Sequence, residues 1–345
     1  MKIKRLTKET EEIWDRYVLN HPHGNFYQLS GWRDVYASVF QFVPQYYFAI
    51  KNNRIVGILP LVLMRNILGK PFLISIPFSS YGGVCFDDRE VGQFLLKWAI
   101  HLAKKYDVQY VEFRQYEKTF KNLPQKDVFV RLVTRLNPDW QELWKNSLKP
   151  KIRRFVRQGE KRGLYVDWGY DYLQDFYQIF SSNMKRLGTP VHPIELFENL
   201  IEKFGDKIKL LVVKYEKRVI GGMFMVDFAG RILADPWVSS LSQFNHLRPN
   251  HILYWNALKY GCENGYKYFD FGRSTFGTGT YEFKKPWGAE SLVLPYEYYL
   301  NKANAIPEVD ANNNKYEILI NIWKKLPLSL ATSVGKRVVK YLPEL

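Results

Sequence analysis

The sequence predicts an α+β protein in which one fold plan is used twice and a helical tail follows. Three observations carry this reading. Phe48 to Gly57 reads as two strands joined by a polar turn that closes on Arg54, followed by the apolar stretch Ile58 to Met64. Leu211 to Gly221 repeats the pattern around Arg218 and runs into Gly222 to Phe228. Downstream of each hairpin, a long helical segment precedes a matching closing strand, Tyr110-Val111-Glu112-Phe113 in the first copy and Tyr268-Phe269-Asp270-Phe271 in the second. A recurring order of elements is the mark of an internal repeat.

In chain order, residues 8–20 read as a short helix with an acidic face. Ser30 opens a second helix along which Trp32, Val35, Tyr36, Val39 and Phe40 recur on one side. Strands are expected at 45–51, 54–64 and 71–77, before the loop Phe78-Ser79-Ser80-Tyr81-Gly82-Gly83. Val91, Phe94, Leu95, Trp98, Ala99 and Leu102 share a face, so 91–106 is a helix, and strand 108–114 closes the unit. The first domain is placed at 1–143 and the second at 144–300. The second is expected to hold helices over 147–162, 171–186 and 193–204, then strands at 208–215, 218–228 and 231–238. A helix over 250–264 stopping at Gly265, a strand at 266–272 and a last strand at 291–299 complete it. Residues 301–314 read as a linker and 315–345 as a basic amphipathic helical tail, suited to an acidic membrane surface or to docking on its own protein.

Composition narrows the function. A chain of 345 residues suits two domains, and 46% hydrophobic with 17% aromatic residues excludes disorder over most of its length. A net charge of +16 favours anionic partners: phosphates, nucleic acid or an acidic membrane face. Cys85 and Cys262 are the only cysteines and lack metal-ligand spacing, which predicts a reduced compartment and neither a disulfide framework nor a metal site. The basic Met1 to Arg5 is followed by Glu9, Glu11 and Glu12 rather than by a signal-peptide core. The longest apolar run, Ile55 to Met64, is broken by Gly57 and Pro60 and is too short to span a bilayer. A cytoplasmic protein, peripheral at the inner membrane, is expected.

The order of two hairpin strands, a splayed strand, a helix and a closing strand is the plan of the GNAT acyltransferases. Two copies in a chain of this size resemble the Fem family of peptidoglycan bridge-forming aminoacyltransferases, over about residues 20–300. Leu148 to Leu164 looks like that family's basic helix opening the second domain. Phe269-Asp270-Phe271-Gly272-Arg273-Ser274 resembles its closing strand, and Phe283-Lys284-Lys285-Pro286-Trp287-Gly288 its Phe-Lys-x-x-aromatic-Gly motif. Tyr81-Gly82-Gly83 and Leu187 to Pro193 look more like the branch associated with exosortase and exopolysaccharide loci. The resemblance implies two tandem GNAT-like domains with mixed sheets flanked by helices, the first recognising the acceptor and the second transferring the acyl group. It implies no tightly bound cofactor. The co-substrate would be aminoacyl-tRNA or acyl-coenzyme A, and the acceptor a lipid-linked or saccharide envelope precursor. The long charged helical arm with which many members grip tRNA has no counterpart here, which places tRNA in question as a partner; no DNA partner is implied.

On the basic helix, Lys149, Arg153, Arg157 and Lys161 recur four apart, joined by Lys151 and Arg154. Like charges at that spacing repel, so a face that grips the phosphates of a lipid diphosphate, tRNA or coenzyme A is favoured over a merely solvated one, with the acceptor's phosphates expected near Arg153, Arg154 and Arg157. The place where a GNAT domain offers glycine-rich backbone to a pyrophosphate holds His246-Leu247-Arg248-Pro249-Asn250-His251. Arg248 is a candidate phosphate or carboxylate ligand, while Asn250 either joins it or caps the helix. Lys284, just past Tyr281, is the candidate to stabilise an oxyanion, the use that the resemblance implies. The alternative is a surface lysine beside Lys285. Asp270 either orients an amine or pairs with Arg273. His192 is a candidate general base, although a histidine between Pro190 and Pro193 is more often structural. Tyr81 is a candidate acceptor contact, and Trp237 and Trp287 are groove walls or core.

The expected function is acyl transfer to an amine of a cell-envelope precursor, with the acceptor between the domains. An acyl-coenzyme A dependent N-acetyltransferase of exopolysaccharide synthesis is the alternative enzyme. A non-catalytic module binding RNA or membrane is the alternative of another class.

Overall fold

A computed structural model describes residues 1–307 and 314–342. The described residues group into two units. The first comprises 1–129, 293–307 and 340–342, and the second 130–292 and 314–339.

In the first unit, β1 (Lys2–Arg5), α1 (Glu11–Asn20) and α2 (Gly31–Phe40) lead into the hairpin β2 (Val43–Lys51) and β3 (Arg54–Arg65). Asn52 and Asn53 both take positive φ, 51° and 58°, as a two-residue hairpin turn requires. β4 (Pro71–Ser75) pairs antiparallel with β3, and the two-residue β5 (Cys85–Phe86) adds to the other end of β3. α3 (Arg89–Lys105), capped by the Asp88 carboxylate on the Val91 amide, then crosses to β6 (Tyr110–Arg114). β6 runs parallel to β4 but pairs with it only at Leu73↔Val111 and Ile74↔Glu112.

The second unit repeats this order. It takes the end of β7 (Gln125–Arg135), then α4 (Trp140–Glu142), a π-turn over Leu143–Ser147, α5 (Pro150–Lys161), β8 (Tyr165–Trp168), α6 (Leu173–Leu187) and α7 (Ile194–Phe204). The hairpin β9 (Ile208–Tyr215) and β10 (Arg218–Phe228) turns on Glu216 and Lys217, again both at positive φ, 49° and 68°. β11 (Ile232–Ser240) pairs antiparallel with β10, and α8 (Pro249–Glu263) crosses to β12 (Tyr268–Thr275), parallel to β11. The β11–β12 ladder ends after Ile232↔Tyr268, Leu233↔Phe269 and Ala234↔Asp270. Each copy thus parts its two parallel strands after two or three residue pairs. The fold plan is doubled, as expected.

The core of the second unit gathers Leu211, Met223, Leu233, Leu258, Phe269 and Trp287, all fully buried, beneath α5 and α8. Those helices lie close because residue 159 is glycine. A Cβ there would fall 2.8 Å from the Ile252 side chain and 3.3 Å from the Leu247 carbonyl oxygen.

The structure corrects several expectations. α9 (Gly279–Lys284), β7 and β8 form where the sequence reading places no element. β13 (Glu290–Leu300), expected as the last strand of the second domain, pairs antiparallel with β6 of the first from Tyr296↔Arg114 to Leu300↔Tyr110. Residues 130–143 group with the second unit, so the division falls earlier than 143/144. α5 begins at Pro150, whose fixed φ and missing N–H suit a first helical position. The tail is two helices, α10 (Asn314–Lys325) and α11 (Leu328–Val338), separated at Pro327. Of the expected linker 301–314, residues 308–313 lie outside the described residues, as do 343–345 of the tail.

Candidate active site

Lys284 ends α9, the short helix that follows β12 through Gly277 and Thr278. Its ammonium donates to the carbonyl oxygens of Phe271 (2.5 Å) and Arg273 (3.2 Å), on the part of β12 beyond its last pairing with β11. An ammonium has three N–H bonds, so among the described residues one remains free to point at a ligand. Burial lowers the lysine pKa, while Asp235 and Asp270 favour its charged form. A strand split with a fixed cation on its wall can take a carbonyl and stabilise the oxyanion formed on attack.

Asp270 is buried and pairs with Arg131 of β7, Nε to Oδ2 at 2.7 Å. Its other oxygen accepts from the Gly272 amide at 2.8 Å. The carboxylate thereby braces β12 rather than opening toward a ligand. Arg273 contributes its backbone carbonyl to Lys284. Tyr281 is buried against Phe276, its oxygen accepting from the Ser291 hydroxyl at 3.2 Å. Trp287 is fully buried among Tyr254, His251 and Phe283, a core residue rather than a groove wall.

Asp235 and Tyr254 belong to no motif that the sequence displays. Asp235 is the first residue of β11 beyond its last pairing with β12. It is 4% exposed, and the Tyr254 hydroxyl donates to its Oδ2 at 2.6 Å. Burial pushes its pKa up to about 7, against the opposing pull of Lys284 and of the Tyr254 hydrogen bond. The signal available was an acidic residue inside the apolar strand Ile232-Leu233-Ala234-Asp235.

Further along β11, Trp237 packs on Phe197 and Phe224 with ring centroids 5.2 and 5.7 Å away, and on His192 at 6.3 Å. His192 is 3% exposed, and burial lowers its pKa to about 4. It is a neutral ring in an aromatic cluster, which suits a structural role better than proton transfer at neutral pH.

At the start of α8, Arg248 adopts a left-handed conformation (φ 73°) and stacks its guanidinium 4.1 Å from the Phe155 ring centre. Its Nε and the Asn250 Oδ1 have no hydrogen-bond partner among the described residues. Asn250 sits inside the first turn and does not cap it, because Pro249 already begins the helix. Pro249 has no N–H, and the amides of His251 and Ile252 are taken by the Arg248 carbonyl. The backbone therefore offers little to a pyrophosphate, which leaves the neighbouring cationic side chains as the candidates for that work.

The α5 face supplies them unevenly. Arg153 spends Nη1 on the carbonyls of Trp144, Lys145 and Leu148 at 3.0, 2.6 and 3.1 Å, closing the end of the π-turn. Arg154 lies over Phe155 and Arg157 over Trp144. Together with Gln158 and Lys161 they line an open depression of about 320 Å³.

In the first unit, Gly82 and Gly83 both donate to the Arg114 carbonyl at 2.9 Å, shaping a pocket of about 250 Å³. Gln28 bridges it, donating to the Gly83 carbonyl at 2.9 Å and accepting from the Asn25 amide at 3.0 Å. Gln115 is 1% exposed and lines the pocket with an amide nitrogen that has no partner among the described residues. Tyr81 stands behind the wall, buried against Tyr27 and Tyr116.

A family model described as an acetyltransferase (GNAT) domain matches residues 146–285, which hold Lys284, Asp270 and Arg248. The chain is 21% identical to the Lipid II:glycine glycyltransferase of Staphylococcus epidermidis, over 85% of this chain and 92% of that one. The crystal structure of FemX superposes on 88% of this chain and 98% of its own, at a TM-score of 0.68 and 17% identity. Together these likenesses support a Fem-like tandem GNAT family for the chain. A tandem GNAT protein of the clavulanic acid biosynthesis pathway shares the Fem-like doubling, at a TM-score of 0.57, 12% identity and coverage of 87% and 98%. The GNAT domain and the likeness to a glycyltransferase make the chain an acyltransferase, and the GNAT fold implies an acyl thioester such as acyl-coenzyme A as co-substrate. Among the described residues, no cluster of ligands suits a metal ion and no helix is long and apolar enough to cross a membrane.

Proposed function

We propose that the chain transfers an aminoacyl group from an activated ester to an amine of a lipid-linked peptidoglycan precursor. The observation that carries this is the Lys284 ammonium, held on the wall of the β11–β12 split with one N–H to spare. The donor carbonyl enters the split, and its oxygen turns toward Lys284 as the acceptor amine attacks. The Staphylococcus epidermidis relative, named for transfer of glycine to lipid II, supports this choice of acceptor. The geometry lends no support to a saccharide acceptor or to a non-catalytic module.

The donor's phosphates are gripped by Arg248, Arg154 and Arg157 in place of a glycine-rich backbone cradle. The pocket beside Gly82 and Gly83 serves acceptor recognition in the first domain, with the Gln115 amide as a donor to the ligand. The tail meets an acidic membrane through Ile322, Leu328, Leu330 and Val334, which remain exposed. No acidic residue occurs from Ile318 to Leu342, and Lys324, Lys325, Arg337 and Lys340 supply positive charge.

The test is a donor comparison. Purified protein is given a lipid-linked muramyl pentapeptide with either a mixture of aminoacyl-tRNAs or acetyl-coenzyme A, and products are read by mass spectrometry. A mass gain of one amino-acid residue is expected with the tRNA mixture. An acetyl gain alone would assign the thioester as donor, and no gain with either would remove the proposal.

A further inference from the structure

We propose that Asp235 is the proton acceptor for the attacking amine. This rests on the acyl transfer proposed above and supplies the base that it lacks. An amine nucleophile must lose a proton as the carbon–nitrogen bond forms, and His192 is walled into an aromatic cluster.

Three observations place Asp235 in that role. It is the residue at which β11 leaves β12, so its backbone forms the mouth of the split. Only one of its oxygens is used, Oδ2 by Tyr254, while Oδ1 is buried with no hydrogen-bond partner among the described residues. A carboxylate kept for architecture is normally matched by a cation and fully hydrogen-bonded, as Asp270 is by Arg131 and Gly272. Asp235 has no described cation within ion-pair distance and feels Lys284 only through space. The ionisable groups facing it are Tyr254 from α8, Lys284 from α9 and Asp270 from β12, the last already paired with Arg131.

The step balances. The amine nitrogen bonds to the acyl carbon, and the carbonyl electron pair moves onto the oxygen facing Lys284. The nitrogen's proton passes to Oδ1 of Asp235. When the tetrahedral intermediate collapses, the bond to the ester oxygen breaks and that oxygen takes the proton back, restoring the carboxylate. A carboxyl raised toward neutrality by burial can accept and return a proton at physiological pH.

The experiment compares the full-length protein with Asp235→Asn and Tyr254→Phe. Asp235→Asn keeps the shape and the Tyr254 partner, and is expected to lower kcat by about 100-fold or more while leaving KM within a few-fold. It should also abolish the rise of kcat with pH near neutrality. Tyr254→Phe removes a hydrogen bond to the charged carboxylate, so that rise should move to higher pH, a change that lost packing alone would not produce. An unchanged kcat and pH profile in Asp235→Asn would overturn the assignment while leaving acyl transfer intact. Should the wild-type protein transfer nothing, the proposed function fails, and the role of Asp235 that rests on it fails with it.

Discussion

The Arg131 guanidinium holds the Asp270 carboxylate at 2.7 Å, with both side chains buried and 139 positions apart in the sequence. The pair ties β7 to β12 just where β12 parts from β11, so it fixes the wall on which Lys284 rests. Removing one partner strands a buried charge, which costs about 3–5 kcal/mol. Arg131→Met is therefore expected to lower the denaturant midpoint sharply, and Arg131→Met with Asp270→Leu to recover part of that loss. Equal midpoints for wild type and Arg131→Met would show that the pair does not brace the strand.

The basic face of α5 divides into two kinds of arginine. Arg153→Ala removes charge-assisted bonds to three carbonyls and should cost about 1.5–3 kcal/mol of stability, read by urea denaturation. Arg154→Ala and Arg157→Ala should leave stability within about 0.5 kcal/mol. Each should instead raise the donor KM and flatten its dependence on salt. Loss of stability in the second pair, with donor binding intact, would remove these residues from phosphate recognition.

Gly83 admits no side chain without cost. A Cβ would fall 2.0 Å from the Gln115 Oε1 and 3.2 Å from the Arg114 carbonyl oxygen, forcing Gln115 into the pocket. Gly83→Ala should raise the acceptor KM roughly tenfold, about 1.4 kcal/mol, with the donor KM unchanged. A donor effect of the same size would move the pocket's ligand from acceptor to donor.

The tail presents apolar and basic residues outward while Ala331, Gly335 and Val339 are buried. Sedimentation with vesicles containing phosphatidylglycerol should carry the protein down at low salt, and vesicles of phosphatidylcholine alone should not. Leu330→Glu with Val334→Glu should abolish that binding. Equal sedimentation of the variant would assign the attraction to the overall charge of +16 instead.

Much of the fold was legible because its signals are local. The paired hairpins closing on Arg54 and Arg218 need only a two-residue turn and alternating apolar positions, and both form as read. The partner of β13 is not legible, because strand pairing between Leu300 and Tyr110 is a matter of distant contacts that no periodicity encodes. Lys284 was visible through its motif, but the carbonyls that hold it were not. Asp235 was legible only as an oddity, an acid inside an apolar strand, and its meaning depends on where β12 stops pairing. Arg153 and Arg154 look alike in sequence, and only the carbonyls of the π-turn separate them.

The central claim is that Lys284, set in the β11–β12 split, stabilises the oxyanion of acyl transfer. It is tested most directly by the mass of the muramyl peptide after incubation with the aminoacyl donor and either wild type or Lys284→Met. The account predicts a gain of one amino-acid residue with wild type and a rate about 10²–10³-fold lower with the folded variant. Transfer at an undiminished rate by Lys284→Met would contradict it.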